Sequence, residues 1–183
     1  MGESQSHPGG QGPPSGAAGA RSGPATPREA ASRIPVLLVR ARSLGCALPL
    51  SATVETLRPL PVQQVQGMPP FVRGISVVRG HPVPVVDLGL LLGLPEPAHP
   101  TRYVTVRAGG GELALAVEAV LGTSTFDPAS FQAMPPLLRD TRPELVEAIG
   151  VRDQQLLLLL RAARLLTGDE WRALAEGPGD GGA

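Results

Sequence analysis

Three histidines, one cysteine and a run of three glycines are the parts of this sequence that could do chemistry. A metal centre needs histidine, cysteine or carboxylate ligands at close, recurrent spacings. His7 stands in a Gly- and Pro-rich stretch, while His81 and His99 each adjoin a proline with no Asp or Cys at ligand spacing. All three read as loop histidines, and no metal is expected. Cys46 lies within the apolar CALPL, where a free thiol acts as a small hydrophobe; a nucleophilic cysteine needs an electropositive, partly exposed setting. The glycines 109 to 111 lack the Lys-Ser/Thr and helix of a phosphate-binding loop, so they read as a hairpin turn. A nucleophile, base and oxyanion site cannot be assembled from what remains. The sequence points to binding rather than catalysis, without a cofactor.

The surrounding chain fits one compact unit. It has 183 residues with 16 basic and 16 acidic side chains, every basic one an arginine. With no net charge there is no general attraction to nucleic acid or anionic lipid. The longest aliphatic run, Leu156 to Leu160, is far short of the roughly 20 residues that span a bilayer. A single cysteine excludes an intrachain disulfide, and the N-terminus has no apolar leader, so a cytoplasmic location is expected. Residues 1–33 contain no Val, Ile, Leu or aromatic residue and are expected to be a disordered arm. Residues 34–168 form the expected folded domain. Residues 169–183 should hold a C-terminal helix and then a loose tail from Gly177.

Strands dominate the expected structure. IPVLLVRARS and CALPL read as strands joined by a short turn around Gly45. SATVETLRPLP reads as a helical turn or a kinked strand ending before Pro59. Tyr103 to Arg107 and Leu113 to Val120 flank the glycine run, which can supply the positive φ of a hairpin loop. VEAIGVRD and QQLLLLLR form another pair with a turn near Asp153. Asp127-Pro128 should cap a short turn through Phe131, DLGLLLG should form one or two helical turns closed by Gly93, and Thr167 with Glu170 has capping-box spacing. Met68 and Met134 precede Pro-Pro segments as core caps. No internal repeat is visible, and many short strands punctuated by glycine and proline argue for small barrels or a sandwich.

The stretch VRGISVVRGHPVPVVDLGLLLG is the most constrained. Pro82 and Pro84 remove two ladder donors from the same side of one strand, so HPVPVVDL is expected to be an edge strand. VRGISVV, apolar on both faces, is expected to lie between packed layers. Arg79-Gly80 makes the turn between them.

The spacing PPFVRGISVVRGHPVPVVDL, preceded by VET and followed by LALAVEAVLGTSTFDP and a late leucine-rich strand, resembles the CheW family of chemotaxis coupling proteins over about residues 34 to 168. The resemblance implies a mainly β fold of two small SH3-like five-stranded barrels around a shared core. It also implies a noncatalytic adaptor between the cytoplasmic tips of chemoreceptors (methyl-accepting chemotaxis proteins) and the regulatory domain of a CheA-type histidine kinase, recruited to receptor arrays. On this resemblance Glu55 and Arg79 fall in the receptor-facing groove, where they can pair, with Leu50, Thr53 and Thr56 at neighbouring groove positions. Gly74 and Gly80 fall at structural turns.

The sequence departs from the family at the turn, where Val77 replaces an asparagine, and at Thr56 and Arg161, where the family favours apolar residues or Asp. These departures imply an alternative: a divergent member that binds receptor but couples weakly or not at all to kinase. A nucleic-acid-binding barrel would need exposed aromatics interleaved with basic residues; Phe71, Tyr103, Phe126, Phe131 and Trp171 are scattered instead.

Overall fold

The computed structural model describes residues 33–95, 99–130, 132 and 142–176. Among these residues ten strands form two five-stranded sheets. The strands are β1 (Ile34–Ala41), β2 (Leu44–Pro49), β3 (Thr53–Leu57), β4 (Val72–Val78), β5 (His81–Asp87), β6 (Arg102–Ala108), β7 (Gly111–Val117), β8 (Ala119–Phe126), β9 (Val146–Arg152) and β10 (Gln155–Leu160). Helix α1 (Leu88–Leu91) follows β5, and α2 (Gly168–Glu176) lies near the C-terminus.

The first sheet runs β8-β1-β2-β10-β9 and the second β3-β6-β7-β5-β4. Each is a hairpin joined in parallel to a second hairpin, with one further strand on the outside. The correspondence extends to irregularities. The outer strands bulge at Val54 in β3 and at Leu121 in β8; the opposite margins bulge at Arg73 in β4 and at Glu147 in β9. Two residues beyond each margin bulge, a glutamine seals the free edge with two backbone bonds, Gln63 to Ile75 in one sheet and Gln132 to Ile149 in the other. Such plugs protect edges that would otherwise recruit foreign strands. This duplication leaves no sequence repeat because the alternation of side chains, rather than their identity, is what both halves share.

That alternation explains why the strands look apolar on both faces. Val36 and Leu38 of β1, Ala47 of β2, and Leu157 and Leu159 of β10 point into the first barrel. Their alternates Leu37, Val39, Cys46, Leu48, Leu158 and Leu160 enter a core shared with the second sheet. In β7, Ala114 and Ala116 face the interior of the second barrel while Leu113, Leu115 and Val117 face the shared core. In this strand small residues fit inside the curled sheet and larger ones fill the space between sheets.

Several expectations need correction. β5 is not an edge strand, because it lies between β7 and β4. Its parallel ladder to β7 begins only at Val85, so Pro82 and Pro84 precede the stretch in which their missing donors would matter. The margin is β4, whose Val77 is 65 % exposed. Gly45 lies inside β2; the turn before it falls at Arg42 and Ser43, with Arg42 at φ 58°. Leu113 to Val120 is not one strand, since the chain changes sheet at Glu118. The β6–β7 hairpin is present, but its glycines do not use positive φ. A Cβ on Gly110 would instead lie 2.5 Å from Trp171 Cγ, so glycine is there to seat the indole.

Other expectations hold. Within SATVETL, Ser51 and Ala52 make a turn and Thr53–Leu57 forms the kinked strand β3. Asp153 and Gln154, at φ 49° and 63°, make the β9–β10 turn, a conformation that matches hairpin twist. Asp127 Oδ1 accepts the Ala129 N–H at 2.9 Å at the start of the 3₁₀ turn Pro128–Ser130. Asp87 caps α1 through Leu90 N–H, and Gly93 follows it at φ 83°. Thr167 and Glu170 form the capping box of α2, which places Leu174 in the shared core with Trp171 packed against it. Phe131, Met134, the arm before Arg33 and the tail from Gly177 lie outside the described residues.

Candidate functional site

The second sheet curls far enough to bring its two margins together. Glu55 stands on β3 at one margin, and Arg79 stands in the turn that leaves β4 at the other. Arg79 at φ 48° and Gly80 at φ 83° form a two-residue turn, which projects the Arg79 side chain, 77 % exposed, across the barrel mouth. Its Nε and Nη2 donate to Glu55 Oε1 and Oε2, both at 2.7 Å. This planar two-point contact fixes orientation as well as charge.

The hydrogen bonds from Arg79 hold the Glu55 carboxyl below the usual carboxylate range, more strongly than burial raises it, and the Arg79 charge adds to the same effect. The same contact, followed by the Glu55 charge, raises the guanidinium. The pair is thus intact at neutral pH and lost only as pH falls through the depressed Glu55 value.

Beside the pair lies an open groove of about 520 Å³ lined by Val54, Val78, His81, Pro82, Val83 and Glu112. Of the residues the sequence placed here, the structure joins Glu55 and Arg79. Thr56 is exposed one position further along β3 and does not line the groove. Thr53 turns back to donate to Pro49 O at 3.1 Å, and Leu50, half-buried, packs on the shared core with its N–H bonded to Pro35 O. These two shape the β2–β3 connection. Gly80 does serve the turn. Gly74 does not: it sits at φ 134° beside the β4 bulge, where a Cβ would meet Gln63 O at 2.1 Å. His81, Pro82 and Glu112 were not singled out for the groove, because nothing local in the sequence reports a neighbour brought in by sheet closure.

The equivalent place on the first barrel is also a groove, of about 250 Å³, but its chemistry differs. It is lined by Leu38, Gly45, Leu121, Arg152, Asp153, Gln155, Leu156 and Leu157. Leu121 and Leu156 are 54 % and 52 % exposed, and Val151, paired with Leu156 across the hairpin, is 68 % exposed. Both mouths carry an ion pair, but Arg152–Asp153, at 3.5 Å, joins chain neighbours at the first, which also exposes aliphatic side chains, whereas Glu55–Arg79 bridges the two margins at the second.

The remaining candidates for chemistry have structural explanations. Asp87 is fully buried but accepts Leu90 N–H and an Arg73 Nη1 bond at 3.2 Å. Burial pushes the Cys46 thiol up to about 12, far from a reactive thiolate. Among the described residues no three His, Cys, Asp or Glu side chains gather as metal ligands, and no helix is long and apolar enough to cross a membrane.

The fold and grooves define a mainly β protein of two SH3-like barrels sharing one core. The family model described as a CheW-like domain matches residues 35–170, and the chain belongs to the CheW family. A curated relative, the chemotaxis protein CheW of Helicobacter pylori (strain ATCC 700392 / 26695), is 25 % identical over 125 residues, covering 67 % of this chain and 75 % of the relative. The crystal structure of the scaffolding protein TtCheW from Thermoanaerobacter tengcongensis superposes with a TM-score of 0.66 at 21 % identity, covering 75 % of this chain and 94 % of that one. That likeness establishes the shared fold.

Proposed function

We propose that this chain is a noncatalytic cytoplasmic adaptor that couples chemoreceptor signalling tips to a CheA-type histidine kinase. The observation that carries this reading is the two-point Glu55–Arg79 contact at the mouth of an open groove. A helical receptor tip requires an apolar trough with a few oriented polar groups on its rim; Val54, Pro82 and Val83 supply the first, and Glu55 and Arg79 the second. The exposed Leu121, Val151 and Leu156 of the other barrel are the surface assigned to a barrel of the kinase's regulatory domain. A ligand-driven change at the receptor then biases the kinase through a coupling free energy of about 1–3 kcal/mol.

The test is titration of the receptor cytoplasmic fragment with the unaltered chain and with Arg79→Glu. Arg79 is exposed, so the variant keeps its fold, and receptor affinity is expected to fall by about tenfold or more. Unchanged affinity would remove Arg79 from the interface. A second reading, receptor binding with weak kinase coupling, draws on Val77: where the family carries asparagine, this chain exposes an aliphatic side chain on the margin strand β4.

A further inference from the structure

Glu55 meets Arg79 from a strand that carries one residue too many. Thr53 pairs with Val106 and Glu55 with Thr105, so Val54 is left out of the ladder and stands 39 % exposed. A bulge deprives neighbouring backbone groups of ladder partners, and a slip of one residue would turn each later side chain of β3 to the opposite face. Here a side chain bonds the strand just past the bulge. The Glu55 N–H donates to Thr105 Oγ1 at 3.2 Å, and that hydroxyl lies 3.4 Å from the Glu55 carbonyl, to which it donates. Thr105 is fully buried in a strand that otherwise contributes Tyr103, Val104 and Val106 to the cores.

The first barrel supplies the comparison. Its β8 bulges at Leu121, between Val120 opposite Val39 and Gly122 opposite Leu38. Leu38 therefore occupies the place of Thr105, and Gly122 the place of Glu55. Without a hydroxyl opposite, that bulge is completed by a glycine at φ 122°, a conformation that side chains rarely adopt. Glu55 has no positive φ. The second barrel thus carries a functional side chain where its counterpart carries glycine, and a buried hydroxyl stands across from it.

We propose that Thr105 is a positioning residue for the groove: its hydroxyl pins the β3 bulge in the register that turns the Glu55 carboxylate toward Arg79. The pinning stands on the geometry alone, while its consequence for receptor binding rests on the function proposed above.

Two variants and one observation on the unaltered chain test this. Thr105→Val keeps shape and removes the hydroxyl; Thr105→Ser keeps the hydroxyl. In the unaltered protein the Glu55 amide should exchange at least about 100-fold more slowly than in an unstructured peptide; exchange near the peptide rate would overturn the proposal even if Thr105→Val failed to fold. By carboxyl NMR titration, the Glu55 pKa should rise toward its ordinary value in Thr105→Val, return in Thr105→Ser, and show no dependence on Thr105 once Arg79→Ala removes the partner. A Glu55 pKa unmoved by Thr105→Val would refute the pinning. Receptor-tip affinity should fall about five- to tenfold in Thr105→Val and stay within about twofold in Thr105→Ser. A shifted pKa with unchanged affinity would uphold the pinning and refute this groove as the receptor surface.

Discussion

Gly110→Ala isolates the contact that holds the C-terminal helix. An added Cβ would lie 2.5, 2.6 and 2.7 Å from Cγ, Cδ2 and Cδ1 of Trp171, well inside contact distance. The backbone at Gly110 has no left-handed φ, so alanine strains nothing but this approach. The indole cannot retreat freely, because Leu174 of the same helix is buried and Glu170 is tied to Arg142 and Thr167. Forcing atoms into a packed contact costs about 1–3 kcal/mol. For a folded unit of this size that lowers Tm by roughly 3–12 °C. Trp171 is the only tryptophan, so its emission reports displacement of α2 alongside the thermal melt. In a Trp171→Ala background the added cost of Gly110→Ala should fall to within about 0.5 kcal/mol of zero. An equal loss in both backgrounds would refute the seating argument. Gly80→Ala is the contrasting case: nothing lies within 4 Å of its Cβ, yet its φ is 83°. It should lose about 1–2 kcal/mol from strain alone, with or without Trp171.

Two further outcomes follow from ionisable groups. Burial pushes the Glu170 carboxyl up, but bonds from Arg142 and Thr167 outweigh it and hold the group below its usual range. Its contribution is therefore complete above the ordinary carboxylate pKa and lost as pH falls through the depressed one, so Trp171 emission should shift only at pH values below the ordinary glutamate pKa; Glu170→Gln should flatten that shift, and a variant retaining it would contradict the assignment. Cys46, fully buried with its thiol raised to about 12, should react with a thiol reagent at pH 8 at least about 100-fold more slowly than in the unfolded chain. Rapid labelling of folded protein would show that the shared core opens.

What could be read from the sequence depended on whether the cause was local. The Asp153 turn, the Asp127 cap and the Thr167–Glu170 box are set by residues within three positions of one another, and each appears as expected. The order of β4 and β5 did not follow, because prolines report unused amides and not the side on which a sheet ends. Pro82 and Pro84 tolerate an interior strand whose partner begins at Val85. The glycines at 109 to 111 marked the turn for the wrong reason: at Gly110 the cause was an indole some sixty residues later. Glu55 and Arg79 were legible only through family resemblance, since 24 residues separate them and sheet closure unites them. Thr105 left no signal, as a threonine in a strand is ordinary until its partner is known.

The most direct measurement is binding of the purified chain to two partners separately: the receptor cytoplasmic fragment and the kinase's regulatory domain. The chain should bind both, with Arg79→Glu weakening the receptor complex and Leu156→Glu weakening the kinase complex. Binding to the receptor alone would favour the variant that has lost kinase coupling. Binding to neither would contradict the adaptor account.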